Sequence, residues 1–262
     1  MMEYFVVCIV ALGVSGLTLL SGFGLGTVLM PAFALFFPLP VAIAATAVVH
    51  LANNLFKVAL VGSKADWSVV AKFALPGAMA AMVGAWLLNA FAELPPVLSY
   101  HLGGKSFEVS PVALVIGVVI ICFAFLDLLP RFGNVSFDRQ YLGVGGLLSG
   151  FFGGLSGIQG ALRSAFLLKV GLEKESFIGT GTVSAVIVDI ARLLVYGISF
   201  LSAPFSKLPP EMSWLILAAI FSAFVGSFIG TRVMEKVTLR TIQLIVGVML
   251  IGVGIGMATG LF

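Results

Sequence analysis

Long apolar stretches, separated by short polar or proline-bearing connections, dominate the pattern of the chain. Six of these stretches reach the length of about 20 residues that a membrane-spanning helix needs. They are residues 41–61, 69–91, 111–130, 176–200, 213–233 and 240–261. Two further apolar regions, 4–37 and 140–170, are each interrupted near the middle by a glycine cluster. The pattern predicts an all-α polytopic integral membrane protein.

The two interrupted regions predict a different element from the six continuous ones. The segment after each glycine cluster is too short to cross a bilayer by itself. Irregular backbone at membrane depth is tolerated only inside protein or beside a water-filled cavity. We therefore expect each interrupted region to form paired half-helices or a re-entrant hairpin.

The composition excludes a soluble domain and a nucleic-acid-binding protein. Of the 262 residues, 60% are hydrophobic and 10% are charged, whereas soluble domains carry about 25% charged residues. The 14 basic residues form no stripe of the kind that binds nucleic acid. Cys8 and Cys122 lie in apolar stretches without the spacing of a disulfide or a metal site, so neither a metal nor a cofactor is expected.

A weak internal repeat relates the two halves of the chain. A shift of 135 residues aligns the glycine clusters and several polar residues. The aligned positions are 20–22 with 155–157, Asn54 with Asp189, and Lys57 with Arg192. We divide the chain into a first membrane repeat (1–130), a linker (131–139) and a second membrane repeat (140–262). Each repeat has three continuous spans, and its broken segment adds no crossing or two. The number of crossings is therefore odd, and we expect the second repeat to be inverted.

The distribution of basic residues predicts the orientation. One face receives Lys64, Lys72, Arg131, Arg139, Lys169, Lys174, Arg232, Lys236 and Arg240. The other face receives only Lys105 and Lys207. Cytoplasmic loops carry the excess of Lys and Arg. We therefore expect the first face, with the linker, to be cytoplasmic and both termini to lie outside.

A few charged residues are predicted at membrane depth, where each costs at least about 2.5–3.5 kcal/mol and usually faces a cavity or a partner. They are Lys57, Arg163, Arg192 and Asp189. The excess of positive charge favours an anionic substrate over a metal cation. Two alternatives stay open. Asp189 and Arg192, three residues apart, can form a local ion pair, and Lys57 can extend from its helix end to the interface.

The glycine clusters add a second anion-binding device. A helix that begins after each cluster directs backbone N–H groups and a partial positive charge into the membrane interior. The predicted substrate-binding residues are Ser21, Gly22, Gly24, Gly26, Thr27, Asn53, Asn54, Ser156, Gly157, Gln159, Gly160, Arg163 and Arg192. As alternatives, the glycines only permit close helix packing, and the asparagines only form hydrogen bonds between helices.

Two titratable side chains, Asp189 and His50, are candidates for carrying a coupling proton, because proton relays in membranes use such groups. For His50, the alternative is a packed, hydrogen-bonded side chain.

An enzyme is not expected. The sequence G-x-S-G, which intramembrane serine proteases use, occurs at residues 13–16 and 154–157. Such an enzyme needs a histidine base within reach of the serine. The histidines are His50 and His101, of which His101 lies in a predicted outer loop, and none follows the second G-x-S-G.

The duplicated glycine segments resemble the TauE/SafE sulfite-exporter family. The first copy is Ser21-Gly22-Phe23-Gly24-Leu25-Gly26 with Pro31 and residues 44–46, and the second is residues 153–160 with Gly179-Thr180. The resemblance covers essentially the whole chain.

The resemblance implies a secondary transporter of a small sulfur-containing anion, such as sulfite, thiosulfate or an organosulfonate, in the bacterial cytoplasmic membrane. A passive anion channel and a carrier of other small anions, such as carboxylates, are the alternatives. The anion and the lipid bilayer are the expected partners, and the sequence leaves a homo-oligomer open.

Overall fold

The computed structural model describes residues 1–21, 24–128, 137–201, 210–233 and 239–261. In these ranges the chain forms ten α-helices and one β-hairpin. The helices are α1 Met2–Ser21, α2 Leu25–Ala34, α3 Leu39–Val61, α4 Trp67–Ala92, α5 Pro111–Leu128, α6 Leu142–Ser156, α7 Gly160–Leu167, α8 Lys174–Leu201, α9 Pro210–Val233 and α10 Leu239–Ala258. The strands are β1 Leu98–Leu102 and β2 Lys105–Val109.

The six continuous helices expected from the sequence are α3, α4, α5, α8, α9 and α10, with ends within a few residues of those predicted. Within the described ranges, four helices are long and apolar enough to cross a membrane by length and composition. They are Leu39–Lys64, Trp67–Ala92, Lys174–Ile198 and Met212–Gly230. Large apolar side chains on their outer surfaces are exposed, such as Trp86 at 62% and Phe221 at 70%. Such a surface suits contact with lipid, as a helical membrane protein requires.

The β-hairpin after α4 was not predicted from the sequence, where this segment was read as a loop. β1 and β2 pair antiparallel around Gly103 and Gly104, whose φ angles are 59° and 77°. Two glycines with positive φ form the two-residue turn that suits the twist of a hairpin. The Tyr100 hydroxyl donates a hydrogen bond to the Thr259 carbonyl at 2.6 Å, which fastens the hairpin to the end of α10.

Both interrupted regions fold as a longer helix, a break and a shorter helix packed beside it, namely α1 with α2 and α6 with α7. α6 is followed by Gly157, whose φ of 80° is left-handed and whose N–H donates to the Gly153 carbonyl. Glycine adopts this helix-ending conformation without strain. Every residue of α2 is buried. The short helix therefore lies inside the protein, where irregular backbone is tolerated.

The helices of the two halves pack in matching pairs. α1 packs against α9, and α6 packs against α4. The first helix of each half therefore contacts the fourth helix of the other half. α3 packs against α8 and α5 against α10, which are helices of the same rank, and α4 also packs against α8 as α3 does against α9.

The two ends of the bundle are distinguished by their connections. At one end, residues 62–66 join α3 to α4 beside the start of α8. There Lys64 forms an ion pair with Glu175 at 3.7 Å, and the Asp66 N–H donates to Thr180 Oγ1 at 2.9 Å. We call this end the basic-loop side. α4 has 26 residues, about 39 Å, and leads to the β-hairpin at the opposite end, the hairpin side.

Glycines allow α6 and α4 to pack backbone against backbone. A Cβ at Gly150 would lie 1.9 Å from the Gly77 carbonyl oxygen, and one at Gly154 would lie 2.0 Å from that of Ala81. Small residues permit such close approach of helices in membranes. The packing of this helix pair therefore depends on glycine. This agrees with the alternative that glycines of the clusters permit close helix packing.

We predict that Gly150→Ala destabilises the protein by about 1–3 kcal/mol or more, because the added methyl group forces the two helices apart. The measurement is the apparent Tm in detergent. Gly13→Ala is the matched control, because a Cβ at Gly13 meets no atom within 4 Å. In a helix, glycine to alanine at an open position is neutral or favourable. Equal Tm values for the two variants would contradict the tight α4–α6 contact.

Candidate functional site

The two helix breaks, far apart in sequence, meet in the interior. A Cβ at Gly26, in the first turn of α2, would lie 2.8 Å from the carbonyl oxygen of Gly157. Gly26 follows the first break, and Gly157 ends α6 at the second. The first turns of α2 and α7 therefore start from one region of the interior.

A narrow cavity lies beside these breaks. Its volume is about 30 Å³, enough for about two water molecules. Its wall consists of Gly24, Leu25, His50, Asn53, Asn54, Lys57, Arg163, Ser164, Leu167, Phe177, Ile178, Gly181 and Thr182. Gly24 and Leu25 lie at the first break, whereas Phe177 lies in the first turn of α8. The cavity therefore extends from the breaks towards the basic-loop side.

Two basic side chains line this cavity. Lys57 of α3 and Arg163 of α7 are 5% and 6% exposed. The burial of Lys57 contradicts the alternative that this side chain extends to the interface. Among the described residues, the other buried charged side chains are Asp189 and Arg192. The buried groups thus carry a formal excess of two positive charges. Because buried charge of one sign is costly, the cavity suits an anion.

Asn53 contributes a neutral donor to the cavity wall. Its Oδ1 accepts a hydrogen bond from the Ser227 hydroxyl of α9 at 2.8 Å. Its Nδ2 is buried and has no hydrogen-bond partner among the described residues. A buried donor left unsatisfied costs about 1–3 kcal/mol. An acceptor oxygen held in the cavity would remove that cost.

Behind the cavity, the Asp189 carboxylate is the centre of a hydrogen-bond network. Its Oδ1 accepts from Gln159 Nε2 at 2.9 Å and from Arg192 Nε and Nη2 at 3.0 and 2.7 Å. Its Oδ2 lies 2.6 Å from His50 Nδ1 and accepts from Asn54 Nδ2 at 3.4 Å. Since His50 Nδ1 donates to the carboxylate, it cannot also accept from Asn54 Nδ2, which lies 3.0 Å away. The carboxylate therefore joins α3, α8 and the second break.

The same network holds the end of α6. Arg192 Nη1 donates to the Gly153 carbonyl at 2.9 Å, and the Tyr196 hydroxyl donates to the Gly154 carbonyl. These carbonyls belong to the last turn of α6, where helical partners are lacking, although the Gly153 carbonyl also accepts from the Gly157 N–H. Side chains of α8 therefore add hydrogen-bond donors to the carbonyls beside the break.

Five of the residues predicted as substrate or proton sites reach the cavity wall, and they come from both halves: Gly24, His50, Asn53, Asn54 and Arg163. Gln159, Asp189 and Arg192 form the network behind it. The predicted contacts of Gln159 and Arg192 with substrate are therefore not part of this cavity, because both side chains are held by Asp189. The local Asp189–Arg192 ion pair, one of the alternatives, is present.

The remaining predicted residues lie elsewhere. Ser156 is fully buried, and its hydroxyl donates to the Phe152 carbonyl of its own helix at 2.9 Å. Thr27 is buried in α2, away from the cavity wall. Gly26, Gly157 and Gly160 lie where the breaks meet. Gly22 and the side chain of Ser21 lie outside the described residues.

Sequence reasoning missed the wall that α8 provides. Phe177, Ile178, Gly181 and Thr182 line the cavity. A signal was present, because Ile178 and Thr182 precede Asp189 at spacings that share one helix face. An intramembrane acid on a helix therefore marks the face on which to search for further site residues.

The comparisons with known proteins identify a family. A family model described as "Sulfite exporter TauE/SafE" matches residues 7–257. No curated protein and no solved structure matches the chain. The family match covers both helix breaks and every residue of the cavity wall.

We predict that Asp189→Ala destabilises the protein by about 3–5 kcal/mol, because it leaves the buried Arg192 guanidinium without its counter-charge. The measurement is the free energy of unfolding in mixed micelles. Glu175→Ala is the matched control on the same helix, because its ion pair with Lys64 is largely exposed and contributes about 0–1 kcal/mol. Similar losses for both variants would show that the Asp189 network does not stabilise the fold.

Proposed function

The chain belongs to the TauE/SafE sulfite exporter family, and on this premise we propose that it is a secondary transporter of a small sulfur-containing anion such as sulfite, thiosulfate or an organosulfonate. The family is one of membrane transporters of sulfur anions. The binding site proposed for this chain is the cavity beside the two helix breaks.

The observation that carries the proposal is the charge of the buried site. Lys57 and Arg163 line the cavity, whereas the buried acid Asp189 lies behind it and is bonded to Arg192. A bound anion would offset the charge of the two basic groups. Hydrogen bonds in which the donor or acceptor is ionised are roughly twice as strong as neutral ones.

The neutral groups of the wall favour an oxyanion. Asn53 Nδ2 offers a buried N–H, and Ser164 adds a hydroxyl. An anion with several oxygen atoms accepts hydrogen bonds from several directions at once, as sulfite and sulfonates do. No metal is needed for such binding.

We further propose that the two halves are inverted repeats in a bacterial cytoplasmic membrane, with the basic-loop side in the cytoplasm. The exchanged contacts support the repeats, since the first helix of each half packs on the fourth of the other. The lysines of the basic-loop side support the orientation, because cytoplasmic loops are rich in Lys and Arg. The cavity would then receive its anion from the cytoplasm.

Proton coupling is proposed through His50 and Asp189. His50 lines the cavity, and its Nδ1 lies 2.6 Å from the Asp189 carboxylate. The imidazole thus lies between the cavity and a buried acid. Such chains of His and Asp carry protons in membrane transporters.

We predict that Arg163→Ala raises the anion concentration for half-maximal counterflow in proteoliposomes by about 10–100-fold, the value of one lost charge-assisted hydrogen bond. Arg163→Lys should retain part of the affinity. The control is Arg139→Ala, because Arg139 lies on an exposed 3-10 turn.

An unchanged half-maximal concentration in Arg163→Ala would exclude the cavity as the binding site. Equilibration of labelled anion without a transient overshoot in the parent protein would identify a channel instead of a carrier. Counterflow with carboxylates but with no sulfur anion would exclude the proposed substrate.

We predict that His50→Gln keeps counterflow but loses accumulation driven by a pH gradient, because glutamine can donate to Asp189 but cannot carry a proton. The readout is accumulation with and without the gradient in the same vesicles. His101→Gln is the control, because His101 lies on the exposed β-hairpin. Gradient-driven accumulation that survives in His50→Gln would exclude His50 as the proton carrier.

A further inference from the structure

The 135-residue shift that aligns the two halves in sequence also relates the helices that line the cavity. α2 begins at residue 25 and α7 at 160, and α3 begins at 39 and α8 at 174. Both pairs differ by 135. Each residue of the cavity wall therefore has a defined counterpart in the other half.

In the other half, the residues that correspond to the cavity wall are buried. On the basic-loop side, the cavity is lined by Ser164, Leu167, Phe177, Ile178 and Thr182 of α7 and α8. The shift assigns to them Leu29, Ala32, Ala42, Ile43 and Ala47 of α2 and α3, and each of these is at most 5% exposed. Most of them belong to the main apolar core. The same structural positions therefore line a cavity in one half and pack largely in the apolar core in the other.

From this asymmetry we propose that Leu29, Ala32, Ala42, Ile43 and Ala47 line a second passage, which opens to the hairpin side when the cavity on the basic-loop side closes. The proposal rests on the proposed transport function. In a protein built from two inverted repeats, exchanging the conformations of the repeats turns one end state into the other. The structure is then the state open to the basic-loop side.

The two passages differ in charge. The counterpart of Arg163 is Val28, and the counterpart of Lys57 is Arg192, which Asp189 already neutralises. The second passage thus lacks the two basic side chains of the first. An anion is held by positive charge on the basic-loop side, and the second passage, without those two groups, attracts it less strongly.

Single cysteines test the second passage. The background is Cys8→Ala with Cys122→Ala, and the test pair is Thr182→Cys and Ala47→Cys, which occupy equivalent positions.

Ser63→Cys and Ser99→Cys report the two sides, because both residues are exposed at opposite ends of α4. Ala219→Cys is the buried control, at 0% exposure in α9. A membrane-impermeant maleimide is applied to spheroplasts and to everted vesicles, and sulfoacetate is the probe anion.

We expect Thr182→Cys to react from the same side as Ser63→Cys, more slowly when sulfoacetate is present. Ala47→Cys should react from the same side as Ser99→Cys. If the state in which the second passage is open has a population of about 0.1–10%, Ala47→Cys should react at that fraction of the Ser99→Cys rate. Ala219→Cys should react from neither side.

The outcomes separate this inference from the proposed function. If Ala47→Cys is as unreactive as Ala219→Cys, or reacts from the Ser63→Cys side, while the protein performs counterflow, the second passage is wrong and the transport function stands. If Ala47→Cys reacts as expected but no sulfur anion supports counterflow, the passage stands and the proposed substrate is wrong.

Discussion

The buried Asp189 carboxylate is the constraint on which the arrangement of the site depends. It accepts hydrogen bonds from α3, from α8 and from the residue that precedes α7. Arg192, held by this carboxylate, in turn satisfies a carbonyl at the end of α6. A broken helix in a membrane leaves backbone groups that water does not solvate. One acid on α8 thus organises the donors that make the second break possible.

The charge of the network also supports the proposal that the cavity binds an anion. Asp189 and Arg192 neutralise each other at 2.7 Å, so neither contributes a net charge to the cavity. Lys57 and Arg163 then determine the potential at its wall. If Asp189 lay on the wall instead, it would offset one of these charges and repel an anion. Because Asp189 lies behind the cavity wall, it stabilises the fold through its hydrogen bonds and leaves the wall positively charged.

Much of the fold followed from the sequence, because each spanning helix is an uninterrupted apolar stretch and each break is marked by glycine. The burial of Lys57, Arg163, Asp189 and Arg192 agrees with their predicted places in apolar stretches. The sequence did not show which of these side chains faces the cavity. Asp189 contacts Arg192, three positions further along the same helix, but it also contacts His50, which is 139 positions away. Contacts of that separation depend on how helices pack. The β-hairpin was missed because its strands are short and the segment was predicted only as an outer loop.

The pairing of Asn54 with Asp189 is informative about the symmetry of the site. Under the proposed relation these two residues occupy the same position in the two halves, and they lie 3.4 Å apart. A residue that touches its own counterpart lies at the axis that relates the halves. Two carboxylates at that place would repel each other, and two amides would leave Arg192 without a counter-charge. One amide and one carboxylate satisfy both demands, so the repeats have to differ in sequence at the point where they meet.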